Sequence, residues 1–181
     1  MLVDVTTYSL EMLDKAEFKP SNRVIEHLEI RRSEIPLPEL NRFLYTAVGG
    51  NYYWIDRLTW TYAQWQAWLE RPELETWCAY LNGTIAGYFE LERQAESVSI
   101  AYFGLIPRFT GLGIGGCLLS RCIERAWELK PKRVWVHTCS LDGAQALANY
   151  QARGFKLFLE ETKSENLPEQ PLGPWSGARQ V

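Results

Sequence analysis

The sequence of 181 residues lacks the features of several broad classes of protein. It has no apolar run of about 18 residues, the length that a membrane-spanning helix requires. It has only 2 His, and its 4 Cys form no C-x-x-C pair, so we expect no metal site. Its formal net charge is −3, which argues against a general nucleic-acid binder. We therefore expect neither nucleic acid nor a membrane as a partner.

The composition predicts one folded domain. The 8 Trp, 9 Tyr and 7 Phe cannot all stay solvated, and a chain of this size can bury about 70% of its surface in a single core. We expect one domain over residues 1–181, with an N-terminal extension at 1–22. The prolines and few apolar residues of 162–181 predict a loose C-terminal arm. Met1–Thr7 lacks the basic and apolar parts of a signal peptide, so we expect a cytoplasmic protein.

Hydrophobic periodicity predicts a mixed α/β order of elements. The expected strands lie at 27–33, 75–81, 84–92, 98–106, 133–138 and 155–161, and the expected helices start at Pro36–Pro38, at Thr61, near residue 112 and at Asp142. Asn82-Gly83 predicts a tight hairpin. Asp142 and Gln145 have the spacing of a reciprocal helix cap, and Gly154 is typical of a helix end. This order predicts a single mixed sheet with helices packed on it.

A glycine-rich turn is the most informative segment. Gly111, Gly113, Gly115 and Gly116 fall within six residues, between a predicted strand and a predicted helix. Glycine lets the backbone approach a ligand closely, and the first helix amides have no internal partners and carry partial positive charge. The turn is therefore a candidate phosphate site. Close packing of strand and helix is the alternative reading.

Two nucleotide motifs fit this turn poorly. Gly111, Gly113 and Gly116 match the dinucleotide pattern G-x-G-x-x-G, but four residues separate the strand from the first glycine. The next strand ends at Thr138–Cys139 without the acidic residue that would hold a ribose hydroxyl. The chain also lacks the G-x-x-x-x-G-K-[ST] loop of nucleoside-triphosphate binders. A nicotinamide-dependent oxidoreductase is thus disfavoured.

The turn and a later helix resemble one family closely. Arg108-Phe-Thr-Gly111-Leu-Gly113 resembles the [QR]-x-x-G-x-[GA] signature of the GNAT superfamily of acyl-CoA-dependent N-acetyltransferases. Ala146 through Tyr150 to Gly154-Phe155 is similar to that superfamily's A-x-x-x-Y…G-F element. The two motifs cover roughly residues 97–161. The resemblance implies an α/β fold with a six- to seven-stranded mixed, splayed sheet and about four helices.

The resemblance also implies an activity. Members transfer an acetyl group from acetyl-CoA, as cosubstrate and without a metal, to a primary amine by direct attack in a ternary complex. The acceptor would be a small molecule or an amine on a peptide or protein. Dimers are common in the family, so the resemblance also suggests a homodimer. A catalytically silent acyl-CoA-binding regulatory module is the alternative, since the positions of the general base match poorly.

The resemblance implies a set of cofactor contacts. Backbone groups of the strand would pair with pantetheine, and the glycine amides would cradle the pyrophosphate. The implied cofactor-binding residues are Phe103, Gly104, Leu105, Arg108, Phe109, Thr110, Gly111, Leu112, Gly113, Ile114, Gly115 and Gly116. Six basic residues against two acidic ones between 108 and 133 are expected to meet the remaining phosphate. They are Arg108, Arg121, Arg125, Lys130, Lys132 and Arg133.

The resemblance places the general acid at Tyr150 but leaves the base open. Some members carry Glu twelve residues before the tyrosine, where this chain has Thr138, and many carry Asn where it has Gly143. Two further base positions hold Ser97 and Ser99. Glu90 is the nearest acidic candidate, with Glu92 beside it. His137 is of a residue type that often acts as a general base, but its place before Thr138 points it towards the layer under a helix. Removal of the proton through water is the default.

The acceptor side in this family is built from the first two helices and their connection. Here that connection is rich in aromatic residues, namely Tyr52, Tyr53, Trp54, Trp60 and Tyr62. They either form a cage for a cation or belong to the core. Residues 70–96 carry six Glu against two Arg. Both features suit a cationic amine.

Overall fold

The computed structural model describes residues 1–178, and within them seven strands form one sheet that four α-helices cover. The strands are β1 (Leu2–Met12), β2 (Leu28–Ser33), β3 (Leu74–Leu81), β4 (Thr84–Gln94), β5 (Ser97–Leu105), β6 (Arg133–Cys139) and β7 (Lys156–Asn166). The helices are α1 (Pro38–Gly49), α2 (Tyr62–Leu69), α3 (Ile114–Glu128) and α4 (Ala146–Ala152). The predicted mixed sheet with about four helices is confirmed.

The strand order of the sheet is β2-β3-β4-β5-β6-β1-β7. The β5–β6 pair is parallel and the other neighbouring pairs are antiparallel. A parallel pair needs a crossover connection, and α3 supplies it. The glycine turn therefore lies where β5 leaves the sheet and α3 begins.

Local signals in the sequence account for several element ends. The Thr61 hydroxyl accepts from the Gln64 amide at 3.3 Å while the Gln64 side chain accepts from the Thr61 amide at 2.8 Å, which caps α2 in both directions. Asn82 and Gly83 have φ angles of 50° and 78° and turn β3 into β4. Gly154, at φ 106°, follows α4 as predicted.

Both termini differ from the expectation. Leu2–Met12, within the expected N-terminal extension 1–22, forms β1 between β6 and β7, and Leu10 and Met12 are fully buried. The expected loose arm 162–181 begins inside β7, which pairs with β1 as far as Leu2 opposite Asn166. Every β7 residue is exposed, so backbone pairing holds this strand and leaves no apolar alternation for the sequence to reveal. Residues 179–181 of the arm lie outside the described residues.

The start of α4 also differs from the prediction. The helix begins at Ala146, and its N-cap Gln145 makes no side-chain capping bond. Asp142 instead accepts from the Cys139 amide at 3.0 Å and from the Thr138 hydroxyl at 2.6 Å. A short acidic side chain competes well for nearby backbone amides in a turn, which draws Asp142 away from the helix.

The core lies on both faces of the sheet. On one face α3 packs Leu118, Leu119, Cys122, Ile123 and Ala126 against the central strands and Phe155. On the other face Leu44 and Val48 of α1 pack against Cys78 and Tyr88. No helix in residues 1–178 is both long enough and apolar enough to cross a membrane.

The sheet opens between β5 and β6. Their pairing runs from Ser97 opposite Arg133 to Ile100 opposite Val136 and then stops. Ala101 is an extra residue in β5, because Glu90 and Leu91 of β4 pair with Tyr102 and Ile100. A bulge bends its strand and increases the local twist. The last half of β5 therefore follows β4, whereas β6 follows β1, and a gap is left between them.

Candidate active site

A cavity of about 1190 Å³ occupies the gap between β5 and β6. Of the residues that the sequence singles out, its lining contains Phe103, Gly104, Leu105, Thr110, Gly111, Gly113, Gly115, Gly116 and Tyr150. The lining does not contain Glu90, Arg108, Phe109, Leu112 or Ile114. The fold thus brings the glycine turn, the end of β5 and Tyr150 to one space.

The glycine turn keeps its backbone open to this cavity. Gly111 and Gly113 have φ angles of 83° and 85°, a left-handed conformation that L side chains rarely adopt. A Cβ placed on Gly111 would meet no atom within 4 Å. Gly113 is the N-cap of the 15-residue α3 and supplies no side-chain hydrogen bond. The first-turn amides of α3 therefore have no side-chain cap, and the open space beside Gly111 lies next to the positive end of the helix dipole, as an anion site requires.

Positive side chains near this turn come from two residues that sequence reasoning missed. A Cβ placed on Gly113 would lie 2.6 Å from Arg23 Nη1, and one placed on Gly116 would lie 3.0 Å from Arg153 Nη1. Arg23 also lines the cavity. Arg23 precedes β2, distant in sequence, and Arg153 follows α4. Only the tertiary fold brings them to the turn.

The basic residues predicted to meet a phosphate are mostly engaged elsewhere. Arg121 and Arg125 bond Glu128 at 2.9 Å, and Arg125 also bonds Glu75 at 2.8 Å. Lys132 pairs with Glu96 and Arg133 with Glu11, at 2.5 and 2.6 Å. The expectation fails for these four residues because their positions, a turn or more beyond the start of α3, face acidic neighbours. Arg108 is exposed in the 3-10 turn Pro107–Phe109.

The end of β5 offers an unpaired backbone edge. Beyond Ile100 the strand keeps its partner β4, with Leu105 opposite Gly87, but has no partner on the β6 side. Phe103, Gly104 and Leu105 all line the cavity there. An extended chain can add to such an edge by backbone hydrogen bonds.

Tyr150 lies on α4 and faces the same cavity. Its ring packs edge-on against Phe103 and Phe155, each with centroids 6.0 Å away, and the residue is 5% exposed. Burial, with a further contribution from the Asp142 charge, raises the pKa of Tyr150 well above 10. The phenol therefore stays protonated at neutral pH.

The aromatic residues of the α1–α2 connection divide into two groups. Tyr52, Tyr53 and Trp54 line the cavity. Trp60 instead covers the Arg57 guanidinium, which lies 4.6 Å from its ring, and Tyr62 is exposed. Of the two alternatives, a cage made of all five aromatic rings is therefore not formed. The protein's own Arg57 occupies the cation position beside Trp60.

Glu90 is built into a buried cluster outside the cavity. It is fully buried and accepts hydrogen bonds from Asn41 Nδ2 at 2.9 Å, Arg57 Nη1 at 3.2 Å and Trp68 Nε1 at 2.9 Å. A carboxylate held in this way between the sheet and α2 satisfies the rule that a buried charge must be paired. The structure does not bring Glu90 together with Tyr150, so the idea that it is the general base loses its support.

The other predicted base candidates are placed as follows. Glu92 bonds Arg71 at 2.6 Å and does not line the cavity. His137 is exposed and lines the cavity, contrary to the expectation that it points under a helix, because Val136 and Thr138 take the buried face of β6. Within residues 1–178, no group of three or more His, Cys, Asp or Glu side chains is arranged to hold a metal ion.

Asp142 is a cavity residue that the sequence predicts only as a helix cap. Besides the bonds from Thr138 and Cys139, its Oδ1 accepts a long hydrogen bond of 3.4 Å from Trp54 Nε1. The adjacent Gly143 lies against Tyr52, whose hydroxyl is 3.4 Å from a Cβ placed there. The α1–α2 and β6–α4 connections thus meet across the cavity at Asp142.

Comparisons with known proteins identify the family of this chain. A profile of the acetyltransferase (GNAT) family matches residues 39–155. A comparison with curated protein sequences found no match.

Similar solved structures include a GCN5-related N-acetyltransferase from Sphaerobacter thermophilus, with TM-score 0.65, 15% identity, and 88% of this chain and 51% of that chain covered. The ribosomal-protein-S18-alanine N-acetyltransferase from Escherichia coli has TM-score 0.56 and 16% identity, covering 71% of this chain and 77% of that one. An aminoglycoside acetyltransferase from an uncultured soil sample has TM-score 0.58 and 17% identity, with 72% and 90% covered. The chain spans only 51% to 61% of the length of several solved relatives. At these identities the likeness shows the fold alone.

Proposed function

The chain belongs to the acetyltransferase (GNAT) family, and from that premise we propose that it transfers an acetyl group from acetyl-CoA to a primary amine. The amine attacks the thioester directly within a ternary complex. One observation carries the proposal: a single cavity is lined by the open glycine turn, by the unpaired end of β5 and by Tyr150.

Acetyl-CoA fits the two open features of this cavity. The pyrophosphate would bind the backbone amides of Gly111–Gly115, where the space beside Gly111 is open, and Arg23 and Arg153 would supply positive charge. The pantetheine arm would add to the edge of β5 at Phe103–Leu105, as a peptide strand adds to a sheet. The thioester would then lie between this strand and Tyr150.

The reaction needs help with two protons. A lysine-like amine has a pKa of about 10.4, so making it neutral at pH 7 costs roughly 4.6 kcal/mol. The leaving thiolate has a thiol pKa of about 8.5 by analogy with cysteine. Tyr150, held protonated by burial, would donate its proton to this sulfur. A backbone amide of β5 would stabilise the negative charge that develops on the thioester oxygen.

The acceptor would enter between the α1–α2 connection and the β6–α4 connection. Tyr52, Tyr53 and Trp54 line that side, together with Asp56 and Asp142. Aromatic faces beside carboxylates suit a cationic amine. The names of two relatives, one for a ribosomal-protein alanine and one for aminoglycosides, support amines on proteins and on small molecules alike.

Release of free thiol from acetyl-CoA tests the proposal. The protein is incubated with acetyl-CoA and a panel of primary amines: butylamine, spermidine, kanamycin and a peptide with a free N-terminus. We expect amine-dependent thiol release with at least one of them, and an acetylated product by mass spectrometry.

A silent acyl-CoA-binding module is the second candidate, favoured by the position of Glu90 outside the cavity. It predicts tight binding of acetyl-CoA in calorimetry with no turnover of any amine. Absence of acetyl-CoA binding would contradict both functions.

A further inference from the structure

Thr138 occupies the position at which some members of the family carry the general base. This chain has no acid at that position, but a carboxylate lies close to Thr138. Thr138 is 3% exposed, and a threonine hydroxyl cannot take a proton from an amine at neutral pH. Its hydroxyl donates to Asp142 Oδ2 at 2.6 Å. Thr138 therefore holds a carboxylate in place, and that carboxylate belongs to Asp142, four residues later in the chain.

Hydrogen bonds fix the Asp142 carboxylate, but one of its oxygens can still accept another hydrogen bond. Oδ2 accepts from the Thr138 hydroxyl and the Cys139 amide, and Oδ1 accepts only the long bond from Trp54 Nε1. A carboxylate oxygen has two lone pairs, so Oδ1 keeps acceptor capacity. In the described part of the chain, no Lys, Arg or His forms an ion pair with Asp142, and the residue lines the cavity. It is therefore an oriented carboxyl group that faces the candidate site and has no ion-pair partner in residues 1–178.

Two observations connect Asp142 to the reacting groups. The Trp54 indole bonds Asp142 at one end, and its Cη2 lies 4.0 Å from a Cβ placed on Gly104 of the β5 edge. The Asp142 charge also contributes, after burial, to the raised pKa of Tyr150. Tyr150 from α4, Cys139 from β6 and Tyr52 beside Gly143 are titratable groups close to it, and Asp56, His137 and Glu165 line the same cavity.

We propose that Asp142 is the catalytic residue that binds the acceptor's ammonium group and receives protons from its nitrogen, and that Thr138 is a positioning residue acting through it. This rests on the proposed acetyl transfer. The ammonium's first proton passes through Asp142 to water and leaves a neutral amine. As the N–C bond forms and the C–S bond breaks, the second nitrogen proton goes to Asp142 and Tyr150 protonates the sulfur. Water then restores both groups, giving one amide, one thiol and one proton.

His137 is the competing group, since it also lines the cavity. It is exposed, and its nearest described ring is Trp135, with centroids 6.2 Å apart. No hydrogen bond fixes its ring within residues 1–178, whereas three hydrogen bonds fix the Asp142 carboxylate. A preorganised group is the better proton acceptor for a bound amine, so the geometry favours Asp142.

The test compares four variants at Asp142, Thr138 and Glu124 with the wild type, using the amine from the panel that is acetylated fastest. A fifth variant, His137→Gln, is assayed beside them for activity. Asp142→Asn keeps the shape of the side chain and removes its carboxylate. We expect kcat/KM at pH 7 to fall by about 100-fold or more, the usual contribution of a general base. Thr138→Val should lose about tenfold, and Thr138→Ser, which keeps the hydroxyl, should retain most activity. Glu124→Gln, an exposed carboxylate of α3 outside the lining, is the matched control and should behave as wild type. Calorimetry should give the same Kd for acetyl-CoA in all four.

The pH dependence of kcat/KM distinguishes a role of Asp142 in proton transfer from a purely structural role. The loss in Asp142→Asn should shrink as pH approaches the pKa of the acceptor amine, because the free amine is then already neutral. That pKa is about 10.4 for a lysine-like amine and about 8 for a peptide N-terminus. An equal loss at all pH values would indicate a structural effect and overturn the proposal, as would an active Asp142→Asn beside an inactive His137→Gln. A wild type that binds acetyl-CoA but acetylates no amine would contradict the proposed function itself; an active wild type with an unaffected Asp142→Asn would contradict only the assignment of Asp142.

Discussion

Replacing Gly111 by alanine tests whether the glycine turn binds the cosubstrate. At φ 83° an alanine is strained, and the left-handed conformation costs an L residue about 1–2 kcal/mol. The new methyl group itself would meet no protein atom within 4 Å. Folding should therefore lose only the backbone cost, whereas a ligand that occupies this open space would collide with the methyl group.

The chain offers a matched control at Gly83. This residue has φ 78°, and a Cβ there also meets nothing within 4 Å, but it lies in the β3–β4 hairpin and does not line the cavity. Gly83→Ala should therefore lose a similar stability, about 1–2 kcal/mol, through the same backbone strain. The two variants differ only in what lies beside the methyl group.

Two measurements on both variants test whether the glycine turn binds acetyl-CoA. Thermal unfolding gives the loss of stability, and calorimetry gives the Kd for acetyl-CoA. We expect Gly111→Ala to weaken binding by at least about tenfold, or 1.4 kcal/mol, while Gly83→Ala binds as the wild type does. Equal Kd values for the two variants would refute the phosphate site at this turn.

Three other substitutions have distinct expected outcomes. Tyr150→Phe should lower kcat by about 100-fold without changing the Kd for acetyl-CoA, as for loss of a general acid; an unchanged kcat would exclude that role. Glu90→Gln leaves Arg57 buried without its partner charge and should lower the free energy of unfolding by about 3–5 kcal/mol in urea titration; a neutral result would show the pair to be dispensable. Burial alone would raise the pKa of Glu75, but bonds from Arg125 and Trp77 lower it overall. The stability it contributes is therefore complete above its unfolded value of 4.5 and lost as pH falls through the lower folded value, so Glu75→Gln should flatten the unfolding profile at acid pH.

Where local chemistry determines an element, the sequence predicts it well. The capping pair at Thr61, the hairpin at Asn82-Gly83 and the stop at Gly154 are each set by a few adjacent residues. The end of β7 is not predicted because it is held mainly by its partner strand β1. β1 is not predicted either, although its Leu10 and Met12 belong to the core. The polar residues of β7 are all exposed, so no periodic pattern marks them.

The residues of the site also divide into those that the sequence reveals and those that only the fold brings together. The glycine turn and Tyr150 are visible as motifs, because their roles depend on residue type and spacing along one segment. Neither Arg23 nor Asp142 is visible as part of a motif, since tertiary contacts bring Arg23 to Gly113 and Trp54 to Asp142. Sequence could have suggested Asp142 only through the missing acid at Thr138.

A crystal structure with acetyl-CoA bound tests the central claim most directly. The account predicts pyrophosphate oxygens within hydrogen-bond distance of the Gly111–Gly115 amides. It also predicts the thioester beside Gly104, between Trp54 and Tyr150. Density for the nucleotide outside the gap between β5 and β6, or none at a saturating concentration, would contradict it.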